Sequence, residues 1–235
     1  MKIHVGTSGY DYKEWKGVFY PPSMKQEQFL EFYGRQFSTV EINNTFYRNP
    51  NSKKIESWFA AVPDHFAFSI KATRRISHNS QLDLATAADP LQFLLKAVDG
   101  LTTKFGCLLF QMPPHFKKDL AVLSAFLPAL ERRRAAFEFR DKSWFDEEVY
   151  AVLRKHNATL CIADAAKGPV LPVIPEFTWG YLRLRREDYD GAALDTWAAT
   201  IAAQPWHSAF VFFKHEVEGA APRLAGELIK RLPPA

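Results

Sequence analysis

A short strand and the loop after it combine the side chains of an acid–base site with those of a binding site. Glu41 and Asn43 stand two residues apart in the predicted strand Thr39–Asn43, so their carboxylate and amide project from the same face. The following loop carries two aromatic rings, those of Phe46 and Tyr47. An acidic group and an amide beside two rings are typical of the opening of a polar ligand site.

A second carboxylate, Glu138, lies in the predicted strand Ala135–Arg140, with Arg140 two residues after it. Side chains at that spacing are roughly 7 Å apart on one strand face. At an effective dielectric constant of about 20 their attraction is on the order of 2 kcal/mol, which lowers the pKa of the glutamate. Such a carboxylate suits a weak base, a hydrogen-bond acceptor or a structural ion pair, and not a general acid. Glu41 has no cation two residues away and is therefore the preferred acid–base residue.

Polar residues at the ends of other predicted strands complete a site of mixed charge. Three inward carboxylates accompany four inward cations, namely Glu41, Glu138 and Asp164 with Lys71, Arg140, Arg183 and Lys214. The neutral, aromatic and imidazole candidates for ligand binding are Ser8, Tyr10, Asn43, Phe46, Tyr47, His78, Gln111 and Trp144. This set favours a small polar ligand that combines hydroxyl or amide groups with an anionic group. A lone histidine such as His78 is more often structural, and only its place over the expected opening adds weight.

The loops after the last two predicted strands give the strongest sequence signal for an anion site. They carry Arg183, Arg185, Arg186, Lys214 and His215. Phosphate sites in (β/α)8 barrels are frequently found at this position. Some of these cations also fit a solvated rim, so both interpretations stand at this point.

Eight apolar segments with strand character alternate with seven amphipathic helical patterns. The predicted strands are Lys2–Thr7, Thr39–Asn43, Phe66–Lys71, Gly106–Gln111, Ala135–Arg140, Ala158–Asp164, Trp179–Arg183 and Ala209–Lys214. The predicted helices are Gln26–Gln36, Ser52–Ala61, Pro90–Leu101, Leu120–Arg132, Asp146–His156, Ala193–Ala203 and Pro222–Leu232. The proline-rich segment Ala165–Thr178 predicts an irregular crossover. The alternation predicts an α/β protein with a single-domain (β/α)8 TIM-barrel-like fold over residues 1–235, and an open doubly wound sheet is the alternative.

The alternation of side chains along each strand predicts which residues point into the barrel. One set of alternate positions (one parity) is apolar and would face the helices, as at Val40 and Ile42 or at Phe137 and Phe139. The other parity becomes polar toward the C-terminal ends of the strands, which is the catalytic face of a barrel. Stability alone does not explain such an interior, because every desolvated charge must be offset.

Composition limits the classes of function. The net charge of +4 is mildly basic and leaves nucleic acid as a possible partner. Cys107 and Cys161 are expected to be reduced core residues, and the spacing of Cys and His predicts neither a metal site nor a cofactor. No apolar run reaches the roughly 18 residues of a membrane span, and the first residues are too weakly apolar for a signal peptide. We therefore expect a cytoplasmic protein without a membrane partner, and the sequence predicts no oligomeric state.

Several short motifs occur in a fixed order along nearly the whole chain. They are Gly6-Thr7-Ser8-Gly9, Trp15-Lys16-Gly17 with Phe19-Tyr20-Pro21, Thr39-Val40-Glu41-Ile42-Asn43 with Thr45-Phe46-Tyr47, Ser77-His78, Gln111-Met112-Pro113-Pro114, and Phe139-Arg140 with Ser143-Trp144. Together they resemble the domain of unknown function 72 family, often called YecE-like. The resemblance implies a TIM-barrel-like fold and implies no reaction.

The chain departs from that family pattern near its end. The family pattern resembles Arg-Leu-His-Gly after the seventh strand, where this sequence has Arg183-Leu184-Arg185-Arg186. It resembles Phe-Asn-Asn in the eighth strand, where this sequence has Phe213-Lys214-His215, and a later Asn is replaced near Arg223. These departures imply either a more anionic ligand or a loss of the family's activity.

Three functions are compatible with these residues. The leading hypothesis is an enzyme or enzyme-like barrel in which Glu41 is the acid–base residue. The cations Lys71, Arg140 and Arg183 would hold an anionic group. The rings of Phe46, Tyr47 and Trp144 would form the walls of the pocket. A nucleic-acid-binding or processing protein is the second hypothesis, because aromatic residues at a basic rim can stack on bases. A noncatalytic binding protein is the third.

Overall fold

The computed structural model describes residues 1–165, 176–186, 189–214 and 219–233. Its strands are β1 (Lys2–Ser8), β2 (Thr39–Ile42), β3 (Ala67–Lys71), β4 (Phe105–Gln111), β5 (Ala135–Glu138), β6 (Ala158–Asp164), β7 (Trp179–Leu184) and β8 (Ser208–Phe213). Its α-helices are α1 (Phe29–Gln36), α2 (Ser52–Ala61), α3 (Leu84–Asp99), α4 (Leu120–Phe126), α5 (Glu147–Lys155), α6 (Gly191–Ala202) and α7 (Ala220–Ile229).

The eight strands form a closed parallel barrel in chain order. Closure occurs at β1, where Gly6 lies opposite Thr39 of β2 on one side and opposite Phe212 of β8 on the other. A side chain at Gly6 would collide with the carbonyl oxygen of Thr39, because an added Cβ would lie 2.1 Å from it. The predicted (β/α)8 fold is confirmed, and the open doubly wound sheet is excluded.

Most strands bury apolar side chains on both of their faces, which gives the barrel two apolar layers. Outward side chains such as Val40, Phe110 and Phe137 belong to the large core between the strands and the helices. Inward side chains form a separate cluster that includes Cys107, Leu109, Ala136, Cys161, Trp179, Tyr181, Phe210 and Phe212. The predicted assignment of outward and inward parities is confirmed for most strands, and both cysteines are buried and unpaired as expected.

Helix starts are fixed by short polar side chains that accept a hydrogen bond from the first turn. Five helices have such a residue immediately before them, namely Asn51, Asp83, Asp119, Asp146 and Asp190. The cap at Asp83 explains why α3 begins at Leu84, because the sequence prediction instead began this helix at Pro90. Pro128 lies in a tighter 3₁₀ turn, so α4 ends at Phe126 rather than at the predicted Arg132.

The predicted crossover between β6 and β7 falls largely outside the described residues, which omit 166–175.

None of the helices within the described ranges combines the length and the apolar character that a membrane crossing requires.

Candidate functional site

A buried arginine joins the two candidate catalytic carboxylates across the barrel. Arg183 comes from β7 and is only 2% exposed. Its Nη2 donates to Oε1 of Glu41 at 2.8 Å, and its Nη1 donates to Oε2 of Glu138 at 2.6 Å. One guanidinium therefore neutralises side chains from two strands that are not neighbours, β2 and β5.

Glu41 is fully engaged by donors. Oε2 accepts from the Tyr181 hydroxyl at 2.6 Å, and Oε1 accepts from Ser8 and Asn43 as well as from Arg183. Burial alone would raise the pKa of Glu41, but Arg183 and the three neutral donors hold it below its usual value. No cation stands two residues from Glu41 on β2, but Arg183 reaches the carboxylate from β7, so Glu41 is paired with a cation as Glu138 is.

Glu138 is held in the same way by different cations. Oε1 accepts from Arg185 at 2.7 Å and from Gln111 at 2.9 Å. Burial opposes the charge, but Arg183 and Arg185 lower the pKa of Glu138 to about 2. The predicted pairing with Arg140 is wrong: β5 ends at Glu138, and the Arg140 side chain lies exposed beyond the strand. The expected direction of the shift is correct, although its cause is different.

Lys71 lies at the end of β3, next to these carboxylates but not bound to them. Its Nζ donates to Oε1 of the neutral amide of Gln111 at 2.7 Å and lies 4.4 Å from the centre of the Phe46 ring. Burial lowers the pKa of Lys71 to about 8, and the positive charges of Arg183 and Lys214 contribute to this shift. An amine with this pKa exchanges protons near neutral pH, which neither carboxylate can do.

An aromatic cluster covers Lys71 from the loop side. The Phe46 ring makes edge contacts with Tyr47 and with His78, with ring centres 5.2 Å and 5.0 Å apart respectively. Nδ1 of His78 lies 2.9 Å from the hydroxyl of Ser77. Desolvation, followed by the charges of Lys71 and nearby cations, lowers the pKa of His78, so its ring is neutral near pH 7. Tyr47 is 78% exposed and lies at the outer edge of this cluster.

Two further cations lie exposed at the C-terminal ends of the strands. The side chains of Arg140 and Lys214 have no hydrogen-bonding or ion-pair partner among the residues that the structure describes. Both are electrostatically close to the site, because Arg140 lowers the pKa of His78 and Lys214 lowers that of Lys71. We call the eight residues Glu41, Phe46, Lys71, His78, Gln111, Glu138, Arg140 and Lys214 the mouth residues.

Asp164 is a predicted site residue that the structure places elsewhere. Its neighbours of the same parity, Leu160 and Ile162, belong to the outer core, so Asp164 faces outward from β6 and not inward. Its Oδ2 accepts from Tyr189 at 2.9 Å and from Trp197 of α6 at 3.1 Å. The carboxylate therefore fixes α6 and the loop before it onto β6.

Two aromatic candidates also lie in the outer core rather than at the mouth. Trp144 is fully buried, stacks on Phe139 with ring centres 4.1 Å apart, and donates to the carbonyl of Phe116. It cannot form a wall of the site. Tyr10 is partly buried against the outer core and lies 6.3 Å from the Tyr33 ring. His215 lies outside the described residues.

The sequence interpretation did not include two polar participants of the barrel interior as site residues. Ser69 and Tyr181 meet at 2.7 Å, and because the Tyr181 hydroxyl donates to Glu41, Ser69 is the donor in this pair. Arg185, a predicted cation of the candidate anion site, reaches Glu138 from the end of β7 and is therefore paired with a carboxylate. The sequence signal for Tyr181 was its position, because Tyr181, Arg183 and Arg185 stand at every second position and therefore point to the same side of the sheet.

A separate cavity of about 600 Å³ opens at the N-terminal ends of the strands, away from the mouth residues. His4 lies in its wall, stacked on Phe210 with ring centres 4.8 Å apart. Burial, together with the charges of Lys2, Arg134 and His65, lowers the pKa of His4 to about 4. The imidazole is therefore a neutral part of the core near pH 7.

Within the described part of the chain, no three His, Cys, Asp or Glu side chains lie close enough together to hold a metal ion. The mouth presents an amine, an imidazole, two ionised carboxylates and their hydrogen-bonding partners. A closed parallel barrel with this polar cluster at the C-terminal ends of its strands belongs to the (β/α)8 class.

The model of the family described as "Protein of unknown function DUF72" matches residues 4–235, and the chain belongs to this family. The resemblance inferred from the motifs is confirmed. The family description assigns no activity, so the function must be argued from the site itself.

Relatives and solved structures agree with this assignment. The UPF0759 protein YunF of Bacillus subtilis is 27% identical over 156 residues, which cover 63% of this chain and 54% of YunF, so the match spans about half the length of that relative. A DUF72 protein from Thermotoga maritima has a TM-score of 0.76 at 25% identity and covers 98% of both chains. A DUF72 protein from Enterococcus faecalis has a TM-score of 0.80 at 18% identity, covers 98% of this chain and 95% of its own, and shows a shared fold.

Proposed function

We propose that the mouth residues form an enzyme active site for a small polar ligand that carries an anionic group. The balance of charge supports this proposal. Arg183 and Arg185 neutralise the two carboxylates, Glu41 and Glu138, whereas the cations among the mouth residues bind no carboxylate in the described part of the chain. The excess of positive charge at Lys71, Arg140 and Lys214 is the single observation on which the proposal rests.

Each mouth residue has a chemical role in this proposal. Arg140 and Lys214 attract and hold the anionic group, since both are exposed and free to turn toward it. Lys71 exchanges a proton with the ligand near neutral pH, and the neutral ring of His78 is available as a proton acceptor. The rings of Phe46 and Tyr47 provide an apolar wall.

Glu41 and Glu138 keep a role as ionised acceptors. Their pKa values lie below the usual range of a glutamate, so neither can donate a proton at neutral pH. They fix Arg183 and Gln111, and Gln111 in turn fixes Lys71. A sugar-like ligand is compatible with this arrangement, because Oδ1 of Asn43 is a buried acceptor without a partner among the described residues.

Titration with inorganic phosphate tests the anion-binding part of the proposal. We expect phosphate to bind the native protein and to bind the double variant Arg140→Gln/Lys214→Gln at least about tenfold more weakly, because each change removes an exposed cation. Isothermal titration calorimetry measures the two dissociation constants. NMR of the His78 ring provides a local readout, since a bound anion raises the pKa of a neighbouring imidazole.

A matched control removes two charges from the opposite end of the barrel. Arg132 and Lys155 both line a surface cavity away from the mouth, so Arg132→Gln/Lys155→Gln has the same net charge as the test variant. Its phosphate affinity should stay within about twofold of native. Equal weakening in both double variants, or no binding by the native protein, would exclude the mouth as an anion site.

Nucleic-acid binding is a second candidate, and the exposed ring of Tyr47 beside the mouth cations is the observation that favours it. Single-stranded oligonucleotides should then bind more weakly as salt increases, and Tyr47→Ala should weaken them further. Binding that is absent at low salt would dismiss this alternative without affecting the phosphate result.

A further inference from the structure

The Lys71 amine is buried, and it contacts a neutral amide and an aromatic ring rather than a carboxylate. These contacts suit a lysine that reacts as a nucleophile. We infer that Lys71 is a nucleophile that forms an imine with a small carbonyl compound bearing an anionic group. The inference rests on the proposed function and deepens it by naming the substrate class, which comprises 2-oxo acids and phosphorylated aldehydes or ketones.

The contacts of Lys71 leave its amine available in a way that those of other buried or paired lysines do not. Lys104 is also buried, but its Nζ donates to the carbonyls of Phe59 and Val62 and lies 3.5 Å from the Asp64 carboxylate. The Lys104 amine is therefore engaged by backbone oxygens and lies beside a carboxylate. Lys71 has one neutral hydrogen-bond acceptor, the amide of Gln111, and forms no ion pair among the described residues.

The surroundings of Lys71 increase the fraction of free amine. Desolvation is the largest influence against the ammonium form, and the charge of Arg183 adds to it. Glu41 and Glu138 oppose this effect, and Lys214 adds a smaller contribution in the same direction as Arg183. With a pKa of about 8, roughly one tenth of the side chain is a neutral nucleophile at pH 7. Neighbouring cations and burial are recognised means of activating a lysine for imine formation.

His78 is placed to move the protons that imine formation requires. It touches the same Phe46 ring as Lys71 does. Its Nδ1 is occupied by Ser77, which leaves Nε2 to accept and return a proton. Because the ring is neutral near pH 7, it can act first as a base.

The reaction balances without any oxidant or reductant. The lone pair of Lys71 Nζ attacks the carbonyl carbon, a C–N bond forms, and the C=O π bond breaks. One proton then passes from the nitrogen to the carbonyl oxygen through His78, which gives a neutral carbinolamine. His78 then transfers a proton from the nitrogen to the hydroxyl group, which leaves as water, and the C=N bond forms. The products are one imine and one water molecule, and the anionic substituent stays beside Arg140 and Lys214.

Borohydride trapping tests the inference on the native protein. The protein is incubated with pyruvate in one arm and with dihydroxyacetone phosphate in the other, sodium borohydride is added, and peptide mass spectrometry locates the reduced adduct. We expect modification of Lys71 at least about tenfold above that of any other lysine, increasing from pH 7 to pH 9 as the amine deprotonates. The more reactive arm shows whether a carboxylate or a phosphate is preferred.

Matched reagents and variants separate selective chemistry from random modification. Uncharged dihydroxyacetone should label Lys71 less than its phosphate does, and Arg140→Gln/Lys214→Gln should remove that difference. Lys71→Arg should abolish the adduct, because a guanidinium group stays protonated and does not form an imine under these conditions. His78→Gln should slow trapping without changing its site.

The results distinguish this inference from the proposed function. If phosphate binds at the mouth but Lys71 carries no more adduct than surface lysines, the imine is refuted and the anion site stands. If neither phosphate binding nor the adduct occurs, both are refuted. The adduct is located in the native protein, so the test does not depend on the folding of any variant.

Discussion

Arg183 connects the polar side chains of the barrel interior, because it forms ion pairs with both buried glutamates. Both of its Nη atoms donate to carboxylates, and all three charged groups are almost completely buried. Its positive charge allows Glu41 and Glu138 to remain ionised inside the barrel, where isolated carboxylates would take up protons. Tyr181 and Gln111 complete the shell, so the orientation of the mouth depends on this residue.

Replacing Arg183 by methionine should destabilise the protein by roughly 3–5 kcal/mol at pH 7, because it leaves Glu41 without any cation and Glu138 with only Arg185. Urea unfolding measures the loss, and the exposed Arg140→Met should change stability by less than about 0.5 kcal/mol.

The pH dependence of this loss identifies its cause. In the native protein the lowered pKa values of both carboxylates stabilise the fold above their unfolded values, and this contribution disappears as the pH falls. In Arg183→Met their pKa values rise, so the two proteins should approach each other in stability as the pH falls from 7 toward 4.5. A difference that stays constant over this range would mean that lost packing, and not charge, is responsible.

The sequence predicted which residues face the mouth far better than which residues bind each other there. Parity along a strand correctly grouped Glu41, Lys71, Gln111 and Glu138, because alternation is a local property of the backbone. The partner of Glu41 lies 142 residues away, and nothing in a single sequence specifies which inward side chains meet across a barrel. The interpretation therefore paired Glu138 with its sequence neighbour Arg140, whereas Arg183 and Arg185 bind it.

At the level of elements, the helices begin where acidic or amide side chains cap them. Asp190 accepts from the backbone N–H of Ala193 at 2.8 Å, immediately before α6. This cap also lies next to the loop in which Tyr189 is bound by Asp164. The start of α6 is thus held both by its own backbone and by the end of β6.

Asp190→Ala should reduce stability by about 1 kcal/mol, because one N–H group of the first turn loses its acceptor. Asp195→Ala in the same helix removes an exposed ion pair with Arg231 and should cost at most about 0.5 kcal/mol. Urea unfolding compares the two variants, and amide hydrogen exchange should accelerate in the first turn of α6 only for Asp190→Ala. Equal effects would show that the cap is not the source of stability.

Strand positions were predictable to within about two residues, whereas the orientation of β6 was not. Continuous apolar runs such as 160–163 contain no polar–apolar alternation, so either set of alternate positions can face the interior. Asp164 was consequently assigned to the interior although it faces α6. Trp144 was misplaced for a related reason, since a loop tryptophan can pack behind a strand as readily as it can line a site.

Across the whole molecule, the two ends of the barrel respond to acid in different pH ranges. His4 at the N-terminal end has a folded-state pKa of about 4, below its unfolded value, so the unfolded chain binds its proton first and stability falls between about pH 6.5 and 4. Glu138 at the mouth has a folded-state pKa of about 2, so its stabilisation is lost between about pH 4.5 and 2.

We expect His4→Asn to remove the loss of stability between about pH 6.5 and 4 and to leave the loss between about pH 4.5 and 2 unchanged. The unfolding free energy of the native protein should fall by about 2 kcal/mol more than that of the variant between pH 7 and pH 4. Urea unfolding at intervals of half a pH unit measures both curves. Parallel curves would show that His4 is not responsible for the decline.

The link between Arg183 and the two carboxylates also has a consequence for how the chain is made. Synthesis on the ribosome delivers Glu41 142 residues, and Glu138 45 residues, before Arg183. Until β7 emerges, docking β2 and β5 would bury two carboxylates that must either stay uncompensated or take up protons, and both outcomes disfavour early docking. We therefore expect the barrel to close only after β7 is available, and an N-terminal fragment that stops before β7 should not form a stable half-barrel.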